Sequence, residues 1–424
     1  MTKRLLYISP YFPPLTNVGV KRAVNFAEWL PSFGWEIVIL ASPPYSVSES
    51  KKFSGSNSVK VFYEFESKLL RPWVKFFKGL SKKRKVTAKQ KNKAKPKNKK
   101  EVSYTPLDQY MWDIPGAVKY GKKLINEFKP HVILVNADPW SGLMVGHLLH
   151  KWSGVPWVAD FRDPWTAFEE RMESRPAIIR KIIISLEKKF FDSADKVILN
   201  TRNCFNEYRR RYPVTIGKKL LFIRNAFDVK QLGNASETKS QGLFKFGYFG
   251  SFRTYVSSQI VLESFAEFIN NSSLSPESVC FEIYGDVDKD FDYHLIRLGL
   301  SDYINVNRSV SIDNTLRTLR SFDALVLVVS PLYKLMIPAK LYDYLAARKP
   351  ILAISNNDEV NNIIEETQSG RVASYGDINQ IESLFNFYFN NRNSGLLENS
   401  GLIKAYSVQQ QVEMLNTVLS KICS

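Results

Sequence analysis

Short runs of β-branched, leucine and aromatic residues recur along the chain, and the intervals between them carry helical spacing. In the first half they are RLLYIS, EIVILA, VKVFY, HVILVN, VPWVADF and DKVILN; in the second, FKFGYF, VCFEIY, YINVN, DALVLVV and PILAI. Runs that stay apolar instead of alternating with polar residues fit strands covered on both faces, as in a parallel sheet flanked by helices. Each half therefore predicts a doubly wound α/β sheet. The stretch DVKQLGNASETKSQG separates the two series with almost no apolar content, which predicts a hinge. A chain of 424 residues also exceeds the size at which a single core stops growing. The expected organisation is an N-terminal Rossmann-like domain over 1–227, a linker over 228–242, a second Rossmann-like domain over 243–403, and a C-terminal helix over 404–424. That helix is long enough to pack back on the first domain. Two such domains would offer ligand sites at their strand ends, facing each other across a central cleft.

An insert at 67–102 breaks the α/β rhythm. In KLLRPWVKFFKGL the apolar residues Leu69, Leu70, Trp73, Phe76, Phe77 and Leu80 recur at helical spacing, and Lys68, Arg71, Lys75 and Lys78 take the other face. This predicts an amphipathic helix with Pro72 in its first turn. It runs into SKKRKVTAKQKNKAKPKNKK, which has too little apolar surface to fold. From Lys68 to Lys100 there are 15 Lys and Arg and no acid, so this stretch holds 15 of the net +18 charges and leaves +3 elsewhere. An apolar stripe beside a polybasic tract fits an anionic membrane surface, where each basic residue contributes about 1 kcal/mol. The plainer reading is a solvated loop whose apolar residues cover the core. Nucleic acid is not the expected partner, because the tract lacks aromatics interleaved for base stacking.

No apolar run reaches the roughly 20 residues of a membrane-spanning helix, and proline interrupts MTKRLLYISPYFPP before a secretion signal forms. The expected place is the cytoplasm, peripheral at the inner face of the membrane. Cys204, Cys280 and Cys423 are scattered and odd in number, which argues against a disulfide framework or a zinc cluster. Of the four histidines, His131, His147, His150 and His294, the last three fall on helical segments and read as surface or core residues.

Candidate chemistry gathers where strands end. After the first strand, Gly19 lets backbone approach a ligand, and the helix that follows offers free N–H groups to an anion, although a loop glycine more often serves a turn. Asp160, Arg162 and Asp163 in VPWVADFRDPW stand among apolar neighbours and need partners or ligands; an Arg162–Asp163 pair tying down the loop is the structural alternative. In the second half, Gly250 and Arg253 follow a strand and could receive a diphosphate, the guanidinium offering paired donors. Gly285 ends another strand. In SPLYKLMIPAKLYDYLAARKPILAI, Pro338 suits the first helical position, which puts Lys340 and a helix N-terminus at the strand ends. Asp343, one turn further in, could accept hydrogen bonds from two vicinal ribose hydroxyls; alternatively it is an acid favourable to the helix dipole.

In this order and spacing, YFPP followed by Gly19, GVPWVADFRDPW, DSADKVILNT, LLFIRNAFD, FGYFGSF and PAKLYDYLAARKPILAI resemble a retaining glycosyltransferase of the GT-B fold, in the family 4 grouping of bacterial sugar transferases. The resemblance implies two Rossmann-like domains facing a central cleft, with the donor nucleotide sugar on the second and the acceptor on the first. It assigns Gly19, Gly250, Arg253, Gly285, Pro338, Lys340 and Asp343 to the donor, and Asp160, Arg162 and Asp163 to the acceptor side. Such enzymes commonly carry two glutamates eight positions apart; here the second position is Asp343 and the first is Leu335, so the sugar contacts differ. The frequent His-Asp pair is replaced by Arg162 and Asp163, and no lysine stands at the spacing of the family's phosphate-binding lysine.

The implied reaction moves a sugar from a nucleotide diphosphate sugar to an acceptor hydroxyl with retention, Arg253, Lys340 and the helix after Pro338 stabilising the leaving diphosphate and Asp163 orienting the acceptor. No metal or other cofactor is expected. The implied partners are a nucleotide sugar, a glycan or lipid-linked acceptor of the capsule or O-antigen kind, and an anionic membrane surface held through Leu69, Trp73, Lys75, Phe76, Phe77, Lys78 and Leu80. Two alternatives remain: a nucleotide-sugar 2-epimerase of the same fold, or a degenerate transferase kept as a membrane-bound assembly partner.

Overall fold

The computed structural model describes residues 2–15, 19–43, 56–67, 105–228, 242–253, 258–308, 310, 312–392 and 400–423. The expected amphipathic helix, with Leu69, Trp73, Lys75, Phe76, Phe77, Lys78 and Leu80, lies outside the described residues, as does most of the expected linker. The chain divides into two compact units, Met1–Arg224 with Val412–Ser424, and Asn225–Gln411.

The first unit is built on a parallel sheet of seven strands: β1 (Lys3–Ile8), β2 (Trp35–Leu40), β3 (Val59–Phe62), β4 (Val132–Ala137), β5 (Trp157–Phe161), β6 (Lys196–Leu199) and β7 (Leu220–Phe222). Their order is β3-β2-β1-β4-β5-β6-β7. The continuous apolar runs have the expected consequence: every residue of β4 and β5 is buried, which needs helices on both faces of the sheet. Successive strands step outward from β1 to β3, and then the chain crosses to β4 on the other side of β1. This reversal leaves a crevice at the carboxyl ends of β1 and β4.

The second unit repeats the plan with β8 (Phe244–Phe249), β9 (Val279–Tyr284), β10 (Ile304–Asn307), β11 (Ala324–Val329), β12 (Ile351–Ser355) and β13 (Gly370–Ala373), in the order β10-β9-β8-β11-β12-β13. Its reversal falls between β8 and β11. Phenylalanine fills one side of this sheet: the ring of Phe385 lies 4.9 Å from Phe246 and 5.2 Å from Phe265, in edge contacts.

Two outer strands were not expected. β7 has three residues, and β13 begins at Gly370, where a Cβ would stand 2.0 Å from the carbonyl oxygen of Ile351. Three residues carry little periodicity to read, and in β13 only Val372 and Ala373 are apolar. The unit boundary also falls earlier than expected. Phe227 is buried in the second unit beside Leu319, Ile403 and Tyr406, and its carbonyl accepts the N–H of Val408. The helix Val408–Cys423 begins in the second unit and ends in the first. There Trp35 Nε1 donates to Asn416 at 2.9 Å and Lys3 Nζ to Ser420 at 2.9 Å.

Candidate active-site residues at the strand ends

At the carboxyl ends of β4 and β5, a guanidinium sits between two carboxylates. Arg162 Nη2 is 3.0 Å from Asp163 Oδ2 and 3.4 Å from Asp138 Oδ2, and the Arg162 backbone N–H donates to Ala137 at 2.8 Å. Burial works against the Arg162 charge, but Asp163 and Asp138 outweigh it and raise the pKa above the ordinary arginine value. Burial pushes the Asp138 carboxyl up, opposed by Arg162 and Arg171. Tyr11, from the loop after β1, is pushed up to about 12 by burial and then by Asp138 and Asp108. Asp108 accepts from the Ser141 N–H and hydroxyl, both at 2.7 Å, and so holds the start of the helix Ser141–Ser153 in place.

Gly19 belongs to this cluster. It caps the helix Val20–Trp29 with ordinary right-handed dihedrals, yet a Cβ there would stand 1.9 Å from Arg162 Nη1. What approaches its backbone is therefore the guanidinium of the same unit. Asp160 does not join the cluster. It was expected on the acceptor side, but it lies inside β5 with no exposed surface, its two oxygens receiving Arg22 Nε at 2.8 Å and Nη2 at 2.7 Å. Arg22 also donates to the carbonyls of Arg224 and Ile223, at 2.9 and 3.0 Å. An acceptor has no access to this buried pair.

The loop that carries Arg162 and Asp163 is fixed from below. Glu187, fully buried on the helix Ala177–Ser193, accepts from Thr166 N–H at 3.0 Å, Thr166 Oγ1 at 2.5 Å, Tyr208 at 2.8 Å and Tyr212 at 2.7 Å. Tyr208 in turn accepts the Trp165 N–H at 2.9 Å. Every oxygen of the buried carboxylate is thereby satisfied.

In the second unit, the loops after β8 and β9 are clipped together. Gly250 has φ +109° and donates its N–H to Tyr284 at 2.9 Å; Gly285 has φ +153°, and a Cβ on it would stand 2.2 Å from the Gly250 carbonyl oxygen. Gly285 thus serves loop-to-loop contact. On the open side of Gly250, Lys340 Nζ lies 3.4 Å from where a Cβ would be and 3.8 Å from the centre of the Tyr248 ring. Among the described residues no acid or hydrogen-bond acceptor partners this ammonium. Loss of water lowers its pKa from 10.5 to about 7.

Lys340 stands in the first turn of the helix Ala339–Ala347. Pro338, expected as the first helical residue, is one place earlier: its ψ of 130° is extended, and it caps the helix through its carbonyl, which accepts Leu341 N–H at 3.0 Å. Asp343 is half-buried one turn along, between the buried Tyr342 and Tyr344. The Tyr344 hydroxyl accepts the Phe249 N–H at 3.1 Å and so ties this helix to the end of β8. Arg253 is further out, its guanidinium paired with exposed Asp286 at 3.2 Å.

A sequence profile of Glycosyltransferase Family 4 matches residues 19–231, just over half of the chain. The chain belongs to this family. No curated protein matches it. Among solved structures, the glycosyltransferase is similar in fold to sucrose-phosphate synthase from Thermosynechococcus elongatus (TM-score 0.67, 12% identity, 99% of each chain covered). It is also similar to the lipopolysaccharide outer core galactosyltransferase WaaB in its apo form (TM-score 0.59, 11% identity, 99% of each chain). A third similar structure is a mutant of TarM from S. aureus in complex with fondaparinux, α-GlcNAc-glycerol and UDP (TM-score 0.62, 9% identity, 98% of this chain and 99% of that one). The fold is GT-B, two Rossmann-like domains.

Several residues that shape this glycosyltransferase's strand ends did not stand out in the sequence. Asp138 sits in VNADPW at the end of β4, a visible position with no visible partner. Asn357 gave only the signal of a helix cap before DEV. Its carbonyl oxygen accepts the N–H groups of Glu359 and Val360, while its amide donates to the carbonyls of Tyr333, Lys334 and Met336, each at 3.2 Å. It thereby gathers the loop containing Leu335 that leads into Pro338. Among the described residues, no group of three or more His, Cys, Asp or Glu is placed to hold a metal ion, and no helix is long and apolar enough to cross a membrane.

Proposed function

We propose that the protein transfers a sugar, with retention, from a nucleotide diphosphate sugar to a hydroxyl of a lipid-linked glycan in the synthesis of a capsule or O-antigen type of polymer, at the inner face of the cytoplasmic membrane. The observation that carries the donor half is Lys340. It is a desolvated ammonium without an acid partner among the described residues, set against a left-handed glycine at the β8–β11 reversal, in the first turn of a helix. A diphosphate supplies the negative charge this arrangement lacks, and the helix dipole favours it there. As the bond from the anomeric carbon to the diphosphate breaks, negative charge grows on the leaving oxygens, and Lys340 stabilises it, with Arg253 at the rim. The acceptor oxygen bonds to the anomeric carbon from the face the diphosphate leaves, and its proton passes to a leaving phosphate oxygen. Asp343 holds the ribose hydroxyls. On the first unit, Asp163, held by Arg162, orients the acceptor hydroxyl.

The test is calorimetric titration of UDP, GDP, dTDP and CMP, and of their sugar conjugates, into the full chain and into Lys340→Met. Selective binding of one diphosphate nucleotide that the variant loses is the expected result. A cooperatively melting protein that binds none of them overturns the reading in favour of a non-catalytic assembly partner.

A further inference from the structure

The helix Ala177–Ser193 begins AIIRKIIISL, with apolar residues on every side of its first half, although one side alone faces the sheet. Ile183, Glu187, Phe190 and Phe191 are buried on that side. Ile178, Ile182 and Ile184 point away from it and are 63%, 39% and 50% exposed. Three exposed isoleucines on one helix form an apolar patch that the described residues leave uncovered. Lys181, Lys188 and Lys189 are exposed on the same side. Lys188 pairs with Asp192 at 2.6 Å, whereas Lys181 and Lys189 have no acid partner among the described residues.

The position of this helix gives the patch a meaning. The chain enters it from β5, so its first half lies at the end of the sheet that carries Asp138, Arg162 and Asp163. Arg175, just before the helix, donates through Nη1 to the carbonyl of Thr105. Thr105 is the first described residue after the stretch that holds 15 of the chain's basic residues.

We propose that the exposed face of Ala177–Ser193 seats the first unit on an anionic lipid surface. Ile178, Ile182 and Ile184 enter the boundary between headgroups and acyl chains, and Lys181 and Lys189 extend to headgroup phosphates. The inference rests on the reading of the acceptor as membrane-linked, which it deepens by naming the surface that delivers that acceptor to Asp163. A protein partner fits this face less well, since lysine is depleted from the cores of protein interfaces. Two copies of the chain would bring lysines against lysines.

The experiment is sedimentation of the full chain with vesicles of phosphatidylcholine alone and with added phosphatidylglycerol, beside Ile178→Ser/Ile182→Ser/Ile184→Ser and Lys181→Glu/Lys189→Glu. The native chain should partition onto the anionic vesicles, less so in high salt, and each variant should lose roughly tenfold in partitioning while its nucleotide titration stays unchanged. Unchanged partitioning of both variants overturns the proposal. So does a dimer, seen by light scattering, that the isoleucine substitutions dissolve. Nucleotide titration on the same samples reads the transferase proposal separately, so either idea can fail without the other.

Discussion

Arg162 fills the space in front of Gly19: a methyl group on Gly19 would stand 1.9 Å from the guanidinium. The backbone of Gly19 has a φ of −64°, which alanine adopts without strain, so Gly19→Ala acts first on the position of Arg162 and then on the Tyr11 ring, 3.1 Å from the added methyl. The side-chain end must move away from Asp163 and Asp138. We expect a stability change below about 1 kcal/mol, unchanged nucleotide affinity, and acceptor turnover reduced roughly tenfold or more, because misplacing an orienting group is costly to rate. Steady-state kinetics at saturating donor check this, and an unaltered kcat/KM for acceptor would remove Arg162 and Asp163 from the acceptor site.

The buried pair of Arg22 and Asp160 makes a different prediction, about folding. Arg22→Met leaves the Asp160 carboxylate buried without its counter-charge, which should cost about 3 to 5 kcal/mol in urea unfolding. Arg22→Met with Asp160→Leu should recover most of that loss, since replacing both partners removes the uncompensated charge. A single substitution costing under about 1 kcal/mol would mean that water reaches the pair.

Read from its sequence, the chain gives up the two parallel sheets readily, because strands covered on both faces write themselves as unbroken apolar runs such as VILVNA and ALVLVV. Edge strands β7 and β13 escape: β7 has only three residues, and β13 sets a glycine and an arginine before its two apolar residues. Single polar residues at strand ends are harder still. Arg162, Asp163 and Lys340 could be picked out beside strands, but nothing local shows that Asp160 faces Arg22, 138 residues earlier, and not the solvent. The same holds for Gly19 and Gly285. Each marks a close approach, yet only the folded chain reveals that the approaching groups are Arg162 and the Gly250 carbonyl.

Asp343 tests the donor side of the proposed function. It is half-buried, one turn into the helix Ala339–Ala347, and the proposal has it accept from ribose hydroxyls. Asp343→Ala should lower nucleotide affinity by about 1.5 to 3 kcal/mol, or roughly 10- to 150-fold. Calorimetry with the preferred nucleotide decides it, and equal affinities would assign Asp343 to helix electrostatics alone.

On the proposed function, Lys340 makes nucleotide binding sensitive to pH. With its pKa lowered by desolvation from 10.5 to about 7, the folded free protein holds fewer protons than the unfolded chain between those values, so this group makes stability rise with pH across that window. A bound diphosphate favours the ammonium and draws its pKa back up, so nucleotide binding takes up a proton above pH 7. Affinity should therefore be highest below pH 7 and fall above it, by at most about tenfold per pH unit. Lys340→Met should bind more weakly and lose that slope. It should also be more stable than the native chain at pH 6, by about 1 to 3 kcal/mol, since it removes a desolvated charge that has no acid partner among the described residues. Calorimetric titrations from pH 6 to 9 in buffers of different ionisation enthalpy would count the protons directly. A variant that keeps the native slope would show that the titrating group lies elsewhere.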